Sequence, residues 1–478
     1  MRRHIALSFI QKHLQLLVSI ASVMILSRLI SPEETGVYSI GVAIVAITHA
    51  VRDFGVGNFL VKEVDITQPK VNTAFTISLI IAAAFSLVLA AVSLPVAAFY
   101  AKPEVATIIW ITTGGLLLSP FSTVNMALML RKHRFGAMLK VSMSSAIVNA
   151  VVAISLAWLG YGAKSLAFGA LASSAVLVLV SNFLCDERKV YRFSLDHWKQ
   201  ISHFGMHMTV FGLTEQLGGR AGDLIIGKLA GFSAVGLLSR SVSLLGMVQD
   251  SIQNSVMPVI LTNMADDTRK TGDVGPLMLQ SLKYLTVVMW PIYVVLALCS
   301  HDAVLVLFGQ KWIEAAPYTS IFCLGAAFCT LSSLTGTVCN ATDRADLLSR
   351  YSTLNQGIRI LLIAAGAYVA GLYGVVVMLV TADGIQAVLA FFYVRKATPL
   401  SLLDILRNCA RSFAAAALVG LMVLPVAQWL HAPPLVRLIL VGVTACVAWV
   451  ASVFIVRHPA AGEVRMLSNV VAARMRAT

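Results

Sequence analysis

At 478 residues the chain is as long as two or three soluble domains, yet 58% of it is hydrophobic and only 12% charged, with a mean hydropathy of +0.84. A protein of this size has too little interior to hide that much apolar surface from water, so a soluble multidomain protein is excluded and lipid is the expected solvent. Thirty-six Lys and Arg against 22 Asp and Glu leave a net charge of +14, and the placement of those charges carries the topology.

A membrane helix needs roughly 20 mostly apolar residues. About fourteen such stretches follow one another, near 7–30, 36–60, 72–98, 105–130, 138–160, 163–184, 204–230, 233–263, 280–307, 316–341, 347–370, 373–394, 410–430 and 435–456. Runs such as Ile77–Val96 show no alternation, which argues for helices and against a β-barrel. The first stretch opens on Arg2 and Arg3 but is followed by no small-residue cleavage site, so it reads as a retained helix and not a signal peptide.

Lys and Arg in the short connections set the orientation. With the N-terminus in the cytoplasm, about 25 of them fall on the cytoplasmic side, in clusters such as Arg131/Lys132/Arg134 and Arg395/Lys396/Arg407/Arg411. About 6 fall outside: Arg28, Lys102, Lys164, Lys228, Lys311 and Arg437. Both termini are then cytoplasmic. The positive charge is a topology signal and does not call for a nucleic-acid partner. The connections are too short to hold a separate soluble domain. The seven Cys are scattered without metal-ligand spacing and read as small apolar packers.

A charge at mid-bilayer is costly and normally faces a bundle interior or a wet cavity, so charges inside spans are the candidate functional residues. Span 1 lines up Ser8, Gln11, Gln15, Ser19 and Ser22, which can meet sugar hydroxyls or glue helices. Arg52 and Asp53 sit in the inner half of span 2, about 100° apart around the helix, so each needs another partner. In span 7, Gly212, Glu215, Gly219 and Gly222 share one face, with Asp223 beside it and Arg220 further around. That face reads either as a cavity wall or as a packing seam. Span 8 aligns Arg240, Ser243, Met247, Asp250 and Asn254, with Arg240 near the outer end. Arg359 lies midway through span 11, too deep to snorkel easily. Asn149, Asn340 and Gln356 carry no claim beyond packing. The tail after 456 places Val464, Leu467, Val470 and Val471 at helical spacing near Arg465, Arg474 and Arg476. It fits either an interfacial helix or a disordered basic tail.

Residues 28–39, RLISPEETGVYS, and 228–239, KLAGFSAVGLLS, match at a constant offset of 200: Arg28/Lys228, Leu29/Leu229, Gly36/Gly236 and Ser39/Ser239. Six spans separate the copies, which predicts two parallel six-helix bundles related by an axis along the membrane normal.

The run SRLISPEETGVYSIGVAIVAITHAVRDFGVGNFLVKE (27–63) resembles the N-terminal signature of bacterial polysaccharide flippases. These form the polysaccharide-transporter branch of the multidrug/oligosaccharidyl-lipid/polysaccharide exporter superfamily. The stretches GDLIIGKLAGFSAVGLLSRSVSLL (222–245), FGQKW…AAP (308–317) and GTVCNATDRADLL (336–348) are similar to it as well. The resemblance implies an all-α integral membrane fold of about fourteen helices: an N-terminal six-helix bundle over 1–200, a second over 201–396, two extra helices over 397–456 and a basic cytoplasmic tail over 457–478. It further implies an inner-membrane protein that moves undecaprenyl-pyrophosphate-linked oligosaccharide from one leaflet to the other, contacts membrane lipids, and works beside polysaccharide polymerase and export machinery.

Such a cargo needs cations, and Arg can grip phosphate through two parallel hydrogen bonds. The expected cavity residues are Arg28, Arg52, Arg220, Lys228, Arg240 and Arg359, outnumbering Asp53, Glu215 and Asp223, which serve either as coupling sites or as Arg partners. A cavity for cationic drugs would be net acidic, which disfavours the multidrug exporter as the alternative reading. A membrane glycosyltransferase or ligase is disfavoured by the absence of paired acids, a His cluster or a Gly-rich phosphate loop from the sequence. No cofactor is expected. With no ATP-binding motif, the energy comes from an H+ or Na+ gradient or from removal of the product.

Overall fold

The computed structural model describes residues 2–53, 56–63, 65–185, 191–271, 274–342, 344–398, 400–463 and 465–466, leaving undescribed the side chains of several helix segments, among them 2–13, 49–53, 202–212, 214–215 and 250–259. The described residues are helical and form no strand. Contacts divide the chain into two compact units, Met1–Ser239 and Arg240–Thr478.

The first unit contains α1 (Arg2–Leu29), α2 (Pro32–Asp53), α3 (Val56–Lys62), α4 (Gln68–Phe99), α5 (Pro103–Arg131), α6 (Phe135–Trp158), α7 (Ala163–Leu184), α8 (Trp198–Leu229) and the start of α9 (Phe232–Thr271). Proline opens several of these helices where its missing N–H costs nothing, at Pro69 in α4 and Pro103 in α5. Gly231 makes the tight α8–α9 corner at φ +88°, a conformation that favours glycine. Inside, Val56, Phe59, Leu60, Val71, Phe75 and Leu128 form a buried cluster with Tyr191 against it.

The second unit contains the rest of α9, then α10 (Gly275–Leu298), α11 (Ser300–Leu307), a 3₁₀ turn (Gln310–Trp312), α12 (Ala315–Ser332), α13 (Thr335–Ala341), α14 (Ala345–Arg395), α15 (Leu402–Trp429) and α16 (Pro434–Ile455). α14 is two helices. Ala370 and Gly371 leave helical geometry, Gly371 with φ +55°, and the chain folds back so that Gly366 and Gly374 pack backbone to backbone. This is the boundary that hydropathy places between spans 11 and 12. α15 and α16 pack onto α10 through Cys299, Val419, Val423, Val441 and Ala448. Trp449 Nε1 donates to the Val287 carbonyl at 2.8 Å.

Large apolar side chains cover the outside: Leu87, Trp158, Phe183, Tyr368 and Val369 are all exposed. Such a surface is stable only against lipid. Ten stretches of the described residues are long and apolar enough to cross a membrane; reading the halves of α14 as two passes and adding α1, α2 and α8 gives the expected fourteen. Within span 2, α2 runs to Asp53 and α3 from Val56, with residues 54 and 55 outside the described ones. The protein is a multi-pass, all-helical membrane protein.

Candidate functional site

In the first unit the charged positions of α8 come together locally. Arg220 Nη1 lies 3.7 Å from Asp223 Oδ2, one helical turn on, with the Arg side chain 42% exposed and the Asp 16%. A Cβ at Gly219, next to Arg220, would meet nothing within 4 Å among the described residues. Two tyrosines border the pair: Tyr38 of α2 lies within electrostatic reach of Arg220, and Tyr100 within that of Asp223. The Tyr100 hydroxyl donates to the Leu224 carbonyl at 2.9 Å.

In the second unit the α14 hairpin carries two polar rungs. Arg359 Nη1 donates to Asp383 Oδ1 at 3.1 Å, and Asn355 Nδ2 donates to Gln386 Oε1 at 3.1 Å. The rungs are adjacent, since Asn355 and Arg359 lie four apart on one half and Asp383 and Gln386 three apart on the other. Gln386 Nε2 continues the chain to Ser332 Oγ at 3.0 Å. Asp383 is 9% exposed and Arg359 31%. α12 makes room for the carboxylate with Gly325, where a Cβ would fall 2.5 Å from Asp383 Oδ2.

Of the other expected cations, Arg28, Lys228 and Arg240 make described contacts. Arg28 is exposed and donates to its own helix, at Met24 O, over 2.8 Å. Lys228 Nζ donates to the Phe99 carbonyl and sits 4.3 Å from the Phe99 ring centre, the position of a cation on the negative C-terminal end of α4. Arg240 is only 8% exposed. Its guanidinium lies over Trp312 at 5.1 Å and Phe308 at 5.8 Å, a stacking arrangement that Arg favours. Its Nε has no hydrogen-bond partner among the described residues. Arg52, Asp53 and Glu215 lie outside the described side chains, as do Ser8, Gln11, Asp250, Asn254 and, of the tail, Val464, Leu467, Val470, Val471, Arg474 and Arg476.

Two intramembrane acids were missing from the sequence inventory. Asp383 is the partner of Arg359, and Asp302 of α11 receives both arms of the Arg437 guanidinium from α16. Counting them narrows the expected excess of cations over acids inside the spans. The signal was present: each is a lone carboxylate in a long apolar run, at TAD383 and SHD302. Among the described residues no cluster of His, Cys, Asp and Glu could hold a metal ion.

Comparison with known proteins places the chain. Residues 25–317 match the family described as polysaccharide biosynthesis protein. The chain is 21% identical to the lipopolysaccharide biosynthesis protein WzxC of Escherichia coli (strain K12) over 79% of this chain and 77% of that one. It is 26% identical to the succinoglycan biosynthesis transport protein ExoT of Rhizobium meliloti (strain 1021) over 65% and 63%. In fold it is similar to the lipid II flippase MurJ in an inward closed conformation, with TM-score 0.73 and 13% identity over 94% of this chain and 98% of that one. It is also similar to an inward-facing multidrug resistance transporter of the MATE family, with TM-score 0.65 and 13% identity over 80% and 94%. A membrane protein with this helical order, and with that match covering more than half its length, belongs to the polysaccharide biosynthesis protein family.

Proposed function

We propose that the chain is a flippase for polyprenyl-pyrophosphate-linked oligosaccharide, carried on undecaprenyl, acting in the bacterial inner membrane during surface polysaccharide synthesis, with both termini in the cytoplasm. The observation that carries this reading is the pair of part-exposed guanidiniums inside the spans, Arg220 and Arg359, each beside one carboxylate among the described residues. A guanidinium has five N–H donors, and one carboxylate contact leaves donors free to grip phosphate oxygens. Family membership supports a glycan-linked cargo, and the names of relatives such as WzxC and ExoT refer to lipopolysaccharide and succinoglycan.

In this reading the headgroup enters from the cytoplasmic leaflet and Arg side chains hold the pyrophosphate. Movement of the helical bundles then re-exposes it on the far side while the polyprenyl tail stays in lipid. Asp223 and Asp383 are the described acids that an H+ or Na+ gradient would act on. No step is a covalent reaction, so nothing here calls for a catalytic residue.

The test is lipid-linked glycan analysis in a deletion strain complemented by wild type or by Arg359→Ala at equal membrane level. Undecaprenyl-linked units are expected to accumulate in the inner leaflet and to be cleared by wild type only. No accumulation, with increased drug sensitivity instead, would replace this reading with the multidrug exporter.

A further inference from the structure

A second polar feature sits beside the α14 rungs and is not explained by phosphate binding. Where α12 ends and α13 begins, the helical hydrogen-bond ladder lapses at Ser333 and Leu334 within a single span, both residues keeping right-handed helical dihedrals. Irregular backbone at membrane depth is tolerated only where it is buried in protein or lines a cavity. Here it lines one. A pocket of about 530 Å³ opens against the break, walled by Ser332, Thr335 and Gly336, by Gln249 of α9, and by Tyr351 and Gln386 of α14. That volume falls within the roughly 300–1,000 Å³ typical of small-molecule sites.

The chemistry of the wall is specific. None of the described residues lining the pocket is charged. What it offers is hydroxyls and carboxamides, which donate and accept together, beside one aromatic ring, Tyr351. Several of these groups are held in place before any ligand arrives. Gln386 is fixed between Asn355 and Ser332, and Gln249 Nε2 donates to the Tyr293 hydroxyl at 3.2 Å. Thr335 differs: it is 1% exposed, and its Oγ1 has no hydrogen-bond partner among the described residues. A buried hydroxyl left unsatisfied is unfavourable and calls for an explanation.

We infer that this pocket is a sugar subsite, taking one neutral pyranose ring of the lipid-linked glycan, with Thr335 completing its hydrogen bonds on the ring hydroxyls. The inference rests on the flippase reading and deepens it. A neutral polyhydroxylated ring matches a wall of mixed donors and acceptors, and an aromatic face suits its C–H side. The break lies nearer the Ala341 end of its span than the Ala315 end, which is the cytoplasmic half in the charge-derived orientation, where the headgroup is loaded. The subsite lies one helical turn from Arg359 and Asp383, so sugar next to the pyrophosphate reaches it while Arg359 holds phosphate.

The wall can be altered without rebuilding the fold. Thr335→Val keeps the shape and removes the hydroxyl. Gly336→Val fills the pocket; a Cβ at Gly336 meets only Leu348 Cδ1 at 3.8 Å, an ordinary contact. The purified full chain is titrated with undecaprenyl pyrophosphate alone and with the same lipid carrying one glucose, galactose or N-acetylglucosamine. Wild type is expected to bind at least one sugar-bearing lipid about ten-fold more tightly than the bare lipid. Gly336→Val is expected to erase that gain and Thr335→Val to cut it about three- to ten-fold, the range for one lost hydrogen bond, with bare-lipid binding unchanged in both. If Gly336→Val weakens the bare lipid too, Thr335→Val alone decides. A gain left undiminished by Thr335→Val, or no gain for any of the three sugars in wild type, overturns the subsite and leaves the flippase reading standing. If wild type binds none of the pyrophosphate lipids, the flippase reading itself has failed and the subsite falls with it.

Discussion

Gly36 and Gly236 each occupy the fifth position of a helix, and each lies against the first residue of the other's helix. A Cβ on Gly36 would fall 1.8 Å from the Phe232 carbonyl oxygen, and one on Gly236 would fall 1.9 Å from that of Pro32. Both pairs, 36/236 and 32/232, are related by the offset of 200 that marks the internal repeat. The weak sequence match therefore corresponds to a reciprocal contact in which each copy supplies the gap that the other's backbone fills.

Even a methyl group at either position has no room, and the obstacle is backbone, which cannot rotate away. Gly36→Ala and Gly236→Ala are each expected to destabilise the protein by about 1–3 kcal/mol, the usual cost of overpacking. Gly219→Ala is the control, since no described residue lies within 4 Å of its Cβ position. Thermal unfolding of the purified protein in detergent reads all three. Equal midpoints for Gly36→Ala and Gly219→Ala would show that the two helix starts do not need this close approach.

Arg359 and Asp383 are expected to be unequal partners. Asp383 is the more buried of the two, so Arg359→Leu strands a carboxylate, at a cost of about 3 kcal/mol, the lower end of the range for breaking a buried pair. Asp383→Leu leaves a longer side chain that is already part-exposed and should cost less. The double substitution should recover most of the stability but none of the clearance of lipid-linked glycan. A double-substitution cycle on thermal stability, run beside the complementation assay, separates the two. Recovery of both would make the pair structural only.

The spans were legible because membrane helices are written in hydropathy, and the fold-back near Gly371 was legible because an apolar run of that length is too long for one pass. Pairings were not. Asp383 lies 24 residues from Arg359, and Asp302 lies 135 from Arg437; sequence distance gives no hint of either, although a lone acid in an apolar run was itself a sign that a partner was needed. The role of Lys228 was also hidden, because a C-terminal helix end is an anion only once α4 and α8 are placed together. The pocket at Thr335 was the least legible feature. Its walls come from four separated stretches of mostly neutral polar residues, each unremarkable in its own helix.

The Arg437 guanidinium meets the Asp302 carboxylate through Nε and Nη2 together, tying α16 to α11. Two-armed geometry belongs to Arg and not to Lys. Arg437→Lys keeps the charge and loses the fork, while Arg437→Ala loses both, at an expected cost of about 1.5–3 kcal/mol for hydrogen bonds to a charged group. The order of melting points should be wild type, then Lys, then Ala. Lys equal to wild type would mean that charge alone holds the last two helices in place.

His458, in the turn after α16, gives the protein an acid-sensitive point. The ring is buried; Nδ1 accepts from the Ala460 backbone N–H at 3.1 Å, and Nε2 faces Ser412 Oγ at 3.4 Å. Nδ1 cannot accept that bond and carry a proton together, so the ring is neutral with its proton on Nε2. Burial, with Lys283 and Arg411 nearby, pulls its pKa from the ordinary 6.5 down to about 4. Between those values the unfolded chain binds the proton and the folded one does not, so stability rises with pH across that window. It is complete above about 6.5 and is lost as the pH falls toward 4. His458→Asn replaces Nδ1 with an amide oxygen that can accept the same bond and does not titrate. Its melting temperature should therefore fall less than that of wild type between pH 7 and pH 5. Parallel pH profiles for the two proteins would show that the fold does not hold His458 neutral.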